Sequence, residues 1–141
     1  MARSFLILGV ALVALAAGCS KPAGGAMEAL MAVKSHYGDG RVERARDYLS
    51  AGTRNGLADL ARRAPGFDEG ALGIKKLFEA GTQWEIVREV SGLDTGEIDV
   101  KYTDAPSQSM KGFVFRFKLK KEGGAWKLDF EEEIRAVRSR L

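Results

Sequence analysis

Phe113-Val114-Phe115-Arg116-Phe117-Lys118-Leu119-Lys120 decides the fold class of this chain. Phe113, Phe115, Phe117 and Leu119 recur at every second position, with Arg116, Lys118 and Lys120 between them. Successive side chains of a strand point to opposite faces, so this stretch has one face for a core and one for water. The same period runs outward on both sides. Ile98, Val100 and Tyr102 alternate with Glu97, Asp99 and Lys101, and before them Trp84, Ile86 and Val90 alternate with Glu85 and Glu89. Downstream, Trp126, Leu128, Phe130 and Ile134 alternate with Lys127, Asp129, Glu131 and Glu133. Short turns, Leu93-Asp94-Thr95-Gly96 and Lys121-Glu122-Gly123-Gly124, join the first and last pairs, and a longer connection with Pro106 joins the middle pair. Four half-buried strands with one charged face predict an antiparallel meander covered on one side by helices.

Upstream of Gly81 the period is helical. Ala26, Leu30, Val33 and Tyr37 share a face, with Met27 and Met31 beside them as core residues, and Gly38-Asp39-Gly40 ends that helix. A second, starting at Asp39 or Gly40, carries Val42, Ala45, Tyr48 and Leu49. A third starts near Thr53, turns Leu57, Leu60, Ala61 and Ala64 inward, and stops at Pro65-Gly66. Asp68 is the expected N-cap of a fourth, with Ala71, Ile74, Leu77 and Phe78 on its face. The fold class expected is α+β, a single domain over residues 26–141 with N-terminal helices packed on a curved four-stranded antiparallel meander.

The N-terminus reads differently. Arg3 supplies a positive charge, residues 5–17 are apolar with one glycine, and Leu15-Ala16-Ala17-Gly18 leads to Cys19, the only cysteine. That order is the layout of a secretory signal peptide, and the run is shorter than the roughly 20 apolar residues of a membrane span. Its placement of a lone cysteine resembles the lipobox of bacterial lipoproteins, with Ala16 where Leu is usual and Leu15 one step earlier. The resemblance implies cleavage after Gly18, lipidation of Cys19, and anchoring to the membrane by several acyl chains, which hold where one chain would not. A plain secreted protein with a free thiol is the other reading. Ser20, with no Asp after the cysteine, implies the outer membrane, facing the periplasm, under the enteric sorting rule. Residues 19–25 then form a tether of Pro and Gly that keeps the domain within roughly 20 Å of the lipid.

Charge narrows the partners further. Cutting after Gly18 removes Arg3 alone among charged residues, so 22 basic residues become 21 against 19 acidic ones. That near-neutral balance gives no case for nucleic acid. With no second cysteine and one histidine, neither a disulfide within the chain nor a metal site is expected.

Helices leading into a four-strand meander with an aromatic inner face resemble the nuclear-transport-factor-two-like superfamily, a cystatin-like, cone-shaped α+β roll. The stretch Ala45-Arg46-Asp47-Tyr48-Leu49-Ser50 after Gly38-Asp39 is also similar to small lipoproteins of that superfamily. The resemblance implies a concave sheet closing over a pocket, a habit of homodimerising through the outer sheet face, and no single chemistry. The charged outer residues Glu85, Lys101, Arg116 and Glu131 argue for solvent on that face.

Enzymes of the superfamily place Asp, Tyr or His inside the cone. Here only Arg88 and Glu132 interrupt the inward apolar register, so they are the polar handles of a candidate pocket formed by Trp84, Tyr102, Phe113, Phe115 and Phe130. The opposing reading is that both reach solvent. His36 reads as a surface or cap residue, and Glu131-Glu132-Glu133 cannot converge on calcium if it lies in a strand. Glu131 and Glu133 would instead oppose Arg116 and its basic neighbours. No nucleophile elbow, phosphate loop or zinc signature is present. The function expected is a lipid-anchored periplasmic binding or interaction module with no cofactor and no catalysis, acting on an envelope protein. The alternative is a cone that holds a small apolar ligand or, less favoured, an isomerase-like site.

Overall fold

A computed structural model describes residues 25–67 and 72–141. Gly18 and Cys19, with the expected cleavage and lipidation, lie outside the described residues, as do Asp68 and Ala71. Within them the order is α1 (Ala26–Gly38), α2 (Val42–Arg46), α3 (Ala51–Arg63), α4 (Ile74–Leu77), β1 (Gln83–Ser91), β2 (Thr95–Asp104), β3 (Val114–Glu122), β4 (Ala125–Asp129) and α5 (Glu131–Arg138). The strands form one antiparallel sheet in the order β1-β2-β3-β4, the expected meander. Gly123 and Gly124, at φ 58° and 79°, make the two-residue β3–β4 turn, whose hand matches the twist of the flanking strands.

α1 buries Ala26, Ala29, Leu30, Val33 and Tyr37, the face that its spacing predicts. Met27 is only partly buried and Met31 is exposed, so the methionines flank the core instead of filling it. α2 is shorter than its apolar pattern, because the sheet takes the residues that would continue it. Leu128 N–H donates to the Tyr48 carbonyl at 2.8 Å and Ser50 N–H donates to the Leu128 carbonyl at 2.7 Å. Leu49 thereby bridges Leu128 in parallel and covers part of the β4 edge. α3 is capped by Ser50, whose Oγ accepts from Thr53 N–H at 3.1 Å. Thr53, Leu57 and Leu60 turn inward, while Ala61 is exposed, contrary to expectation.

Two differences from the sequence pattern lie in the sheet's outer strands. In β1, Ile86 pairs with Val100 but Arg88 pairs with Asp99, so one residue, Val87, is extra. This bulge reverses the facing of the residues after it: Arg88 lies on the outer face, and Glu89, expected outside, stands opposite Ile98. β1 is an edge strand, and Ile86 and Val90 remain 42% and 47% exposed where half-burial was expected.

β4 ends at Asp129, and the fourth alternating stretch divides there into a strand and a helix. Phe130 N–H leaves the ladder for Thr53 Oγ1 at 2.8 Å, and Glu131 N–H donates to Asp129 Oδ1 at 3.2 Å. Three glutamates then occupy the first turn of α5, where the helix dipole favours negative charge. Phe130, Ile134 and Val137 suit this helix as well as Phe130 and Ile134 suit a strand.

α5 lies against α3 where glycines leave room. A Cβ on Gly56 would stand 2.8 Å from Ile134 Cγ2, closer than carbon atoms pack. Gly56→Ala should therefore destabilise the domain by about 1 kcal/mol: the overpacking cost of about 1–3 kcal/mol exceeds the roughly 1 kcal/mol gained in helix propensity. Urea unfolding checks this, and a stabilised variant would show that the helices can separate freely.

The core is one cluster that includes Leu30 and Val33 of α1 together with Ile98, Val100, Tyr102, Phe117, Leu119 and Leu128 of the sheet. Its buried members run from Ala26 to Ile134, so a chain starting at Ser20 retains all of them and should fold on that core.

Candidate functional site

Four of the residues expected to line a cone do come together. Tyr102 is fully buried in β2, and its hydroxyl donates to the Leu77 carbonyl at 2.9 Å. Burial raises its phenol pKa above the usual range, so it stays neutral and serves as a fixed donor. Trp84 meets the Tyr102 ring edge-on at 5.6 Å, and the Lys34 ammonium sits 4.8 Å from the Trp84 ring centroid. Phe115 lies 4.8 Å from Phe117, and Phe130 meets Phe117 edge-on at 6.5 Å.

The space among these rings is occupied by Phe78 and Phe117. Phe78, just past α4, stacks on Tyr37 at 5.4 Å and on Phe117 at 5.2 Å. Both phenylalanines are buried, so the hub of the cluster is aromatic packing. The strand and helix patterns place each of them inward, but only the tertiary fold makes them neighbours across 39 residues of chain (117 minus 78).

Phe113, Arg88 and Glu132 do not line this cluster. Phe113 precedes β3 and is 49% exposed, with its ring 6.4 Å from that of Phe115. Arg88 stands on the outer face because of the bulge, with Nη1 3.1 Å from Glu97 Oε2. Glu132 is not in a strand: it lies in the first turn of α5, exposed, and pairs with Lys118. The inward reading of both charges is thus corrected, by a one-residue register shift in one case and by a strand-to-helix change in the other.

These charges instead join a network on the outer face. Arg116 donates to both carboxylate oxygens of Asp99, from Nε at 2.7 Å and Nη2 at 3.0 Å. Those bonds hold Asp99 below the ordinary carboxylate range, against the opposing effect of desolvation. The Lys118 pairing likewise lowers Glu132. Of the expected basic partners on β3, it is Lys120 that pairs with Glu131. His36 packs its ring 5.6 Å from Tyr48 at the end of α1.

A buried polar knot has almost no trace in the sequence. Ser50 Oγ donates to Thr53 Oγ1 at 2.8 Å and lies 3.1 Å from Asp129 Oδ1, while Thr53 Oγ1 accepts from Phe130 N–H. Lys120 stands beside Asp129 and Glu122, and Glu122 accepts from Ala51 N–H at 2.9 Å. The knot ties the start of α3 to the β4–α5 junction. Its one local signal is Ser50 three residues before Thr53, the spacing of an N-cap. Both hydroxyls are engaged in these bonds.

Comparison with protein-family models, with curated proteins and with solved structures finds no match to this chain.

Proposed function

We propose that this chain is a lipid-anchored envelope protein whose α+β domain acts as a binding or interaction module on the periplasmic side of the outer membrane. The observation that carries the reading is the lone Cys19 directly after Leu15-Ala16-Ala17-Gly18. The short tether supports it: residues 20–25 separate that cysteine from α1, which begins at Ala26. We assign the domain to the nuclear-transport-factor-two-like rolls on the order of its elements, helices ahead of a four-strand meander with aromatics on its inner face. A non-catalytic role is supported by the outward placement of Arg88 and Glu132, the charges best suited to act inside a cone.

In intact cells, the wild-type chain should fractionate with membranes and form a cross-link to a second envelope protein. After a high-salt wash, which removes surface-bound protein, Cys19→Ser should be recovered in the soluble periplasmic fraction, and that product should be lost. Unchanged membrane recovery of Cys19→Ser would refute the anchor, and cross-links only to itself would refute the interaction role.

A further inference from the structure

We propose that the tip between β2 and β3, residues 110–114 together with Lys101, is a bilayer contact that docks the domain on an anionic lipid surface. The proposal rests on the membrane-anchored reading above and adds the face by which the domain meets the membrane.

Phe113 and Val114 are consecutive, and 49% and 50% exposed. Phe113 keeps the inward parity, its ring 6.4 Å from that of Phe115, and Val114 lies on the outer face opposite Lys101, so the tip carries exposed apolar surface on both of its faces, unlike a single scattered apolar residue. Their backbone is held firmly. Tyr102 N–H donates to the Phe113 carbonyl at 2.9 Å, Gly112 N–H to the Tyr102 carbonyl at 2.7 Å, and Phe113 N–H to the Met110 carbonyl at 3.0 Å. Gly112, at φ 81°, makes the turn that presents them. The tip therefore loses little conformational freedom on docking.

Charge selects the partner. Arg88, Arg116, Lys118 and Lys120 on the same sheet are all in ion pairs. Lys101, opposite Val114 in the ladder, and Lys111, two residues before Phe113, are exposed and have no ion-pair partner among the described residues. Two carboxylates lie near: Glu85, opposite Lys101 in the β1–β2 ladder but not within ion-pair distance, and Asp104, which accepts from Ala105 N–H at 3.0 Å. Two unpaired ammonium groups beside two exposed apolar side chains match the chemistry of a headgroup phosphate above an acyl boundary. Leu93, at the other end of β2, is 88% exposed but stands beside Asp94, which an anionic surface repels.

Residues 20–141, which lack Cys19 and contain the whole described core, should be sedimented with vesicles of phosphatidylcholine alone or with added phosphatidylglycerol. Each lysine near an anionic surface contributes roughly fivefold, so partitioning into the mixed vesicles should be about thirtyfold stronger. Lys101→Gln with Lys111→Gln should remove that preference. Phe113→Ser with Val114→Ser should weaken binding by at least about tenfold, and Leu93→Ser should leave it unchanged. These positions are exposed, so the variants fold, which circular dichroism checks. Equal binding to both lipids, binding to neither, or an equal loss in Leu93→Ser overturns the proposal. The vesicle result does not depend on lipidation, so its failure is separate from failure of the anchor, which Cys19→Ser tests in cells.

Discussion

Phe117→Ala should destabilise the domain by about 3–5 kcal/mol, a larger loss than any other substitution proposed for this domain, because it empties the centre of the aromatic cluster. Phe117 has its ring within 5.2 Å of Phe78, 5.6 Å of Trp84 and 4.8 Å of Phe115, and Phe130 meets it edge-on. These neighbours belong to the α4 end, two strands and the start of α5, which cannot all move inward together. The cavity left by truncation therefore stays open, and its cost adds to the lost transfer energy. A domain of this size has about 5–15 kcal/mol in total, so the variant should unfold at far lower urea with little change in slope. Phe113→Ala supplies the comparison. The two residues lie in the same alternating stretch, but Phe113 is half exposed, and its truncation should cost within about 0.5 kcal/mol. Similar losses at the two positions would show that Phe117 is not the hub.

Thr53→Val should cost about 1–3 kcal/mol despite preserving the shape of the side chain. The substitution leaves the buried Phe130 N–H without the acceptor that Thr53 Oγ1 provides at 2.8 Å. It also removes one partner of Ser50 Oγ, which keeps Asp129. Because Phe130 is where the chain turns from β4 into α5, the damage should concentrate there. Amide exchange of residues 130–134 should accelerate more than that of β2, whose ladder is intact. Thr53→Ser retains the hydroxyl and should cost less. Equal destabilisation by Val and Ser would mean that the methyl, not the hydrogen bond, is what the site requires.

The aromatic candidates were legible for a simple reason. β2 and β3 are interior strands with a charged outer face and the core on the other, so the burial of their apolar side chains follows residue parity, and Tyr102 and Phe117 fall where alternation puts them. The same rule misplaced Arg88. Parity carries information only while the register holds, and Val87 breaks it on an edge strand that has one neighbour to discipline it. Phe113 failed for a related reason: it has the right parity but sits before the strand begins, beyond the cover of the helices.

Glu132 shows a different limit. Phe130 and Ile134 are four apart, a spacing that serves one face of a strand and one face of a helix equally well. What decides between them is Thr53, 77 residues earlier, which captures the Phe130 N–H and pulls the chain out of the ladder. Tyr48 and Leu49 were likewise withdrawn from α2 where the Tyr48 carbonyl and Ser50 N–H hydrogen-bond to Leu128 in β4. In both places a backbone donor found a distant partner, and local periodicity has no access to that choice.

By itself, then, the order of residues determined the class of this domain: helices ahead of a four-strand meander, with an apolar inner face and a charged outer one. These features come from side-chain periodicity, which is local and needs no partner. Tertiary structure alone decided where β1 slips, where β4 becomes α5, that Phe78 and Phe117 fill the centre, and that Arg88 and Glu132 face water. Each of those outcomes depends on a contact between residues far apart in sequence, where burial and hydrogen-bond satisfaction are settled by the whole fold.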